Sequence, residues 1–142
     1  VGSVRWVEGT AFALSGHARV GAFEGSGPAI VALRHAAGGQ RILAHHQDLN
    51  RQPVTGAMLS DALAVVLDPP HMGAGAQMRQ IRQAMPGTVI YVSCNPQALS
   101  TDARLLHEAG YTAEAVTVID PFLWSAEVEA VVRFSSPPRR RR

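Results

Sequence analysis

With 142 residues, 46% of them hydrophobic and 17% charged, the chain has the length and composition of one globular domain, which excludes a disordered, collagen-like or long coiled-coil protein. All 13 basic residues are arginines, four of them in the final run Arg139–Arg142. Without that run, nine arginines face eleven carboxylates, so the body is weakly acidic and no basic groove is expected. The longest aliphatic run, Ala62–Leu67, falls far short of the roughly 20 residues that span a bilayer, and no charged-then-apolar leader is visible; no membrane partner is expected. One cysteine allows neither an internal disulfide nor a four-cysteine metal site, and a reducing cytoplasm is the expected compartment.

In chain order, β-branched runs predict strands over Ser3–Val7, Ala18–Phe23, Arg41–His46, Ala62–Leu67, Thr88–Ser93, Thr112–Ile119 and Glu127–Phe134. Between them, helices are expected over Pro28–Ala37 with proline in the first turn, Ala74–Met85 stopped by Pro86-Gly87, and Pro96–Ala109 ending before Gly110. Strands alternating with helices indicate an α/β class built on a mostly parallel sheet. The segment holding Asp120 and Trp124 is too short for a crossover helix, so the last two strands must be antiparallel neighbours. The expected organisation is one domain over 1–134 and an arginine-rich tail over 135–142. That tail reads either as a nucleic-acid contact or as a solubilising extension.

In an open α/β sheet, ligands collect at the carboxyl ends of the strands. The residues there are unusually polar: Glu8-Gly9-Thr10, Glu24-Gly25-Ser26-Gly27, Gln47-Asp48, Asp68-Pro69-Pro70-His71 and Cys94-Asn95-Pro96. Glu24 suits ribose hydroxyls and Asp48 an adenine amine, although either also reads as a capping or loop carboxylate facing water. Two prolines after Asp68 stiffen the strand exit, which describes a held carboxylate or a plain strand-ending turn. Cys94 falls at a strand–helix junction, where unpaired amides and the helix dipole favour a thiolate; the other reading is a small buried hydrophobe. The histidines, His45-His46 included, lack a convincing set of metal-ligand partners. Trp6 and Trp124 fit core positions better than base-stacking platforms.

Val65-Val66-Leu67-Asp68-Pro69-Pro70, Val92-Ser93-Cys94-Asn95-Pro96, the stretch Thr101-Asp102-Ala103-Arg104, Gly110-Tyr111, Asp120-Pro121-Phe122 and Val128-Glu129 stand in one order. That order resembles the RNA (uracil-C5)-methyltransferase family from about Ala18 to Phe134. The resemblance implies a class I methyltransferase fold, with the last strand inserted antiparallel beside the strand that ends at Ser93, and S-adenosylmethionine as cofactor. It further implies an RNA partner (tRNA or rRNA), Cys94 as the nucleophile on uracil carbon 6, Glu129 as the base that removes the carbon 5 proton, and Asp68 positioning cofactor or base. Glu24, Asp48 and Gly9 would bind the cofactor. Three positions depart from the family pattern: one glycine, Gly9, where two closely spaced ones are usual, His71 in place of an arginine, and Glu127 where histidine is frequent. The family's RNA-recognition region lies outside this likeness, which covers a catalytic core. Two other functions fit the residues: an amino-group methyltransferase using Asp68-Pro69-Pro70, and a non-catalytic binding module of the same fold.

Overall fold

The computed structural model describes residues 4–119 and 128–138, with the backbone alone for 4–8. The chain divides into two compact units, Val1–Gln52 and Pro53–Arg142, which are taken in turn. Asp120, Pro121, Phe122, Trp124, Glu127, the run Arg139–Arg142 and the side chain of Trp6 lie outside the described residues.

The first unit runs α1 (Val4–Ser15), β1 (Val20–Glu24), α2 (Gly27–Ala36) and β2 (Ile42–His46). The two strands pair in parallel, from Val20 opposite Ile42 to Glu24 opposite His46. Pro28 stands in the first turn of α2 and Ser26 caps it, as its position before an apolar helical run predicts. Ile30 and Leu33 of α2 pack with Ala11 of α1, Ala22 and Ile42 to form the core of this unit. Arg41 donates from Nε to the Ser15 carbonyl (3.2 Å) and from Nη2 to that of Gly16 (2.9 Å), satisfying carbonyls that the end of α1 leaves without helical partners.

One expected element is overturned here: of the strand expected over Ser3–Val7, the described residues Val4–Val7 are helix, part of α1. Val4, Val7 and Ala11 recur at helical spacing, and Ala11 and Ser15, one turn apart, are buried with Phe12 packed beside them. A 3.6-residue period therefore wins over the short Val4-Trp6 alternation. In consequence Gly9 sits inside a helix and not in a loop after a strand, and a Cβ at Gly9 would meet nothing within 4 Å. The reading of Gly9 as a glycine of a cofactor loop at a strand end is corrected accordingly.

The second unit runs α3 (Gly56–Ser60), β3 (Ala64–Leu67), α4 (Gly75–Ala84), β4 (Thr88–Ser93), α5 (Pro96–Glu108), β5 (Thr112–Ile119) and β6 (Glu129–Ser135). The strand order is β3-β4-β6-β5; β3 and β4 are parallel, and β6 is antiparallel to both β4 and β5. The expected insertion of the last strand beside β4 is thus present. One face of the sheet carries Val89 and Tyr91 of β4 and Val132 and Phe134 of β6, all buried. Met78 and Ile81 of α4 and Leu106 of α5 are buried in the same core. Met85 takes a left-handed conformation after α4, and Pro86 then prevents the helix from continuing. The backbone stays paired beyond Phe134: β6 runs to Ser135, and the Ser136 N–H donates to the Gly87 carbonyl (3.0 Å). The one element without a sequence expectation is α3, a five-residue helix capped by Thr55 and too short to show a period.

Candidate functional site

Glu24 and Asp48 follow the adjacent parallel strands β1 and β2. The Gln47 N–H donates to the Glu24 carbonyl (2.9 Å), so the strand exits leave side by side. A half-buried Glu24 carboxylate accepts the Ser26 N–H through Oε1 (2.7 Å). Asp48 is exposed and accepts the Asn50 N–H through Oδ1 (3.0 Å), with Arg51 Nε 3.7 Å from Oδ2. Asp48 thus has the geometry of an Asx turn, and Glu24 is pinned by one oxygen at the end of its strand. Two carboxylates at neighbouring strand ends supply the acceptors that the hydroxyls and amine of a nucleoside need.

In the second unit three expected residues converge on one edge. Asp68 is exposed, one residue past Leu67, which pairs with Tyr91. Cys94 is one residue past Ser93, which pairs with Ala130, and Glu129 is the residue just before Ala130. Ser93 and Ala130 are the last paired residues there, so Cys94 and Glu129 leave the β4–β6 ladder at the same end. Cys94 is exposed, so the reading of a buried hydrophobe fails. Glu129 is half-buried and opens β6 opposite Ile119 of β5.

The loop around Cys94 is tied at both ends. Ser93 Oγ donates to the Asn95 carbonyl (3.1 Å) and accepts the Asn95 N–H (3.0 Å), closing a tight turn with the cysteine at its tip. Asn95 caps α5: its Oδ1 accepts the N–H groups of Gln97 (3.0 Å) and Ala98 (3.4 Å). Its Nδ2 donates to the His71 carbonyl (2.7 Å) and lies 3.2 Å from His71 Nδ1. The Asp68-Pro69-Pro70-His71 exit is therefore bonded directly to the cysteine loop. An open hollow of about 410 Å³ adjoins these loops, lined in part by His71, Met72, Asn95, Gln97, Thr101 and Leu105.

Below the two loops lies a network that the sequence did not announce. Asp102, in the middle of α5, is 4% exposed, and its Oδ2 accepts from Tyr91 Oη (2.5 Å) and from the Ala74 N–H (2.7 Å). Burial pushes the Tyr91 phenol well above its ordinary range, and the hydrogen bond to Asp102 and the nearby carboxylate charge push it the same way; Tyr91 is a permanent donor at neutral pH. Gly73 has φ +93°, and a Cβ there would stand 2.9 Å from Asp102 Oδ2. The signal for Asp102 is a carboxylate on the apolar stripe Ala98, Asp102, Leu105, Leu106, a position that tolerates charge only when hydrogen-bonded. Among the described residues, no group of three or more His, Cys, Asp or Glu could hold a metal ion, and no helix is long and apolar enough to cross a membrane.

Known structures share this fold. The tRNA (uracil-54, C5)-methyltransferase of Pyrococcus abyssi, crystallised with S-adenosyl-L-homocysteine, superposes with a TM-score of 0.77 at 23% identity, over 92% of this chain and 32% of that one. The fold is that of the class I methyltransferases. No protein-family model matches the chain. By sequence it is a homologue of RNA methyltransferases: 42% identical over 135 residues to an uncharacterized RNA methyltransferase of Mesorhizobium japonicum, across 92% of this chain and 33% of the relative. It is 38% identical over 89 residues to the 23S rRNA (uracil(1939)-C(5))-methyltransferase RlmD of Erwinia tasmaniensis, across 63% of this chain and 20% of that protein. The chain spans a third or less of the length of these relatives.

Proposed function

We propose that residues 1–134 carry the core of an RNA methyltransferase that modifies carbon 5 of a uridine, with tRNA or rRNA as the substrate class. Glu24 would accept the ribose hydroxyls and Asp48 the adenine amine of S-adenosylmethionine. Bound there, the cofactor supplies an electrophilic methyl group. The uracil carbon 5 is a poor nucleophile, and Cys94 changes that: its thiolate adds to carbon 6, which places enolate electron density on carbon 5. Once carbon 5 has taken that methyl group, whose former bond to the cofactor sulfur would be broken, Glu129 takes the carbon 5 proton, the carbon 5–carbon 6 double bond re-forms, and Cys94 leaves as thiolate. Asp68 orients the base from the neighbouring strand end. The base must be unstacked from the RNA to reach such a rim.

The register between β4 and β6 is the observation that carries this reading, because it brings Cys94 and Glu129, far apart in sequence, to the same end of the two strands. The test is covalent trapping on RNA containing 5-fluorouridine, which lacks the proton Glu129 would remove. A protein–RNA adduct stable to denaturation is expected with the native chain plus S-adenosylmethionine and none with Cys94→Ala. With ordinary uridine, Glu129→Gln is expected to accumulate the adduct. Methyl transfer that survives Cys94→Ala would refute the covalent route and favour amino-group methylation, and a folded chain with no affinity for the cofactor would point to a non-catalytic module.

A further inference from the structure

The buried network around Asp102 is not used by the chemistry above. An ionisable carboxylate on the buried stripe of α5 costs more than a leucine in that place would, and it is kept only with two short hydrogen bonds converging on one oxygen, from Tyr91 Oη and the Ala74 N–H. Ala74 is the residue that opens α4, and it has no side-chain cap of its own; Asp102 caps that helix from another one. Gly73, just before it, is bonded back to the Pro70 carbonyl (2.8 Å) and leaves room for the carboxylate because it has no Cβ. At its other end the same loop is held by Asn95, through the His71 carbonyl. Both attachments come from α5, at Asn95 and Asp102. The loop that begins at Asp68 and the loop that carries Cys94 are thereby clamped to a single helix.

We propose that Asp102 is a positioning residue: with Tyr91 it fixes the His71–Ala74 loop against Asn95 and so sets where Asp68 stands relative to Cys94. The kinetic part of this inference rests on the reading of Cys94 as the nucleophile. A misplacement of about 1 Å at reacting groups costs on the order of a hundredfold in rate, so a clamp of this kind acts on turnover and leaves RNA affinity alone.

The experiment compares Asp102→Ala, Asp102→Asn and Tyr91→Phe with the native chain. The rate of adduct formation on 5-fluorouridine RNA is measured against RNA concentration, and amide hydrogen exchange is measured without substrate. Asp102→Ala is expected to lower the maximal adduct rate by about ten- to a hundredfold with half-saturation changed by less than about twofold. Asp102→Asn, whose amide oxygen can take both donors, recovers most of the rate. Tyr91→Phe, which leaves the Ala74 bond in place, falls between them and keeps the fold if the alanine variant does not. Exchange is expected to quicken at residues 71–75 and at Cys94 and Asn95 and to stay unchanged along β5 and β6. A native rate in Asp102→Ala, an asparagine variant no better than the alanine one, or faster exchange spread over the whole unit would overturn the proposal. If the native chain forms no adduct, the uridine reading fails, and the clamp is then decided by exchange alone: faster exchange confined to the two loops supports it, and uniform or absent change refutes it.

Discussion

Replacing Gly73 by alanine is the sharpest test of the packing beneath the two loops. Gly73 has φ +93°, a conformation that costs a residue with a Cβ about 1–2 kcal/mol. The new methyl would also stand 2.9 Å from Asp102 Oδ2, 3.4 Å from the Ala98 Cβ and 3.5 Å from Tyr91 Oη. The carboxylate has to retreat, and each hydrogen bond to a charged group that lengthens as it does so is worth about 1.5–3 kcal/mol. With one such bond lost these add to roughly 2.5–5 kcal/mol, a large part of the 5–15 kcal/mol that stabilises a typical domain. Gly110→Ala is the control within the same unit: its φ is +96°, but the nearest atoms to the new methyl are Pro137 Cγ at 3.4 Å and Cδ at 3.7 Å, so only the backbone cost of about 1–2 kcal/mol is expected. Urea unfolding followed by circular dichroism gives both values, provided the slopes agree. Equal losses in the two variants would refute the close contact with Asp102 and the reasoning built on it.

Gln77, 4% exposed, accepts the Val54 N–H (2.7 Å) and donates to the Val54 carbonyl (2.9 Å), acting as one rung of a sheet; Gln77→Leu strands both backbone groups and is expected to cost about 2–4 kcal/mol in urea unfolding, a loss below about 1 kcal/mol counting against that role. Tyr91→Phe is expected to change how stability responds to alkaline pH. In the native chain burial first, and the hydrogen bond to Asp102 second, raise the Tyr91 phenol above its unfolded value, so from about pH 10 upward the unfolded chain releases a proton that the folded one retains and stability falls by about 1 kcal/mol per pH unit, with nothing lost below. The phenylalanine variant should show a slope shallower by that amount in melts taken from pH 9 to 11, and parallel slopes would contradict the assignment.

What could be read in the sequence was what local pattern and chain connectivity determine. Thr88–Ser93 and Thr112–Ile119 are strands with the expected limits, because alternating β-branched residues are bounded there by Pro-Gly, Gly-Tyr and a helix cap. The antiparallel place of β6 followed from a connection too short for a crossover. Its place beside β4, and with it Glu129 on the edge that carries Cys94, was implied only by the family resemblance. The opening helix was lost because Val4, Trp6 and Val7 satisfy both periods over so short a span, and with it went the loop in which Gly9 was expected. Asp102 was legible only as a carboxylate on an apolar helical stripe; nothing local names its partners, since Tyr91 and Ala74 come from two other elements. The Gly73 requirement is of the same kind, a three-dimensional approach that leaves only a glycine in the sequence.

The place of β6 also has a consequence for how the protein is made. The strand lies between β4 and β5, although it is synthesised after both. Until β6 has been made, β4 and β5 each lack the neighbour that the finished sheet gives them, and open edges of this kind recruit other chains. Neither can be satisfied by the other, because each is shaped for the strand still to come. Closure of the sheet and delivery of Glu129 to the cysteine edge are then a single event, and a nascent chain that stopped short of Glu129 would keep both open edges. Completion of the sheet and the arrival of Glu129 beside the cysteine loop are coupled through β6.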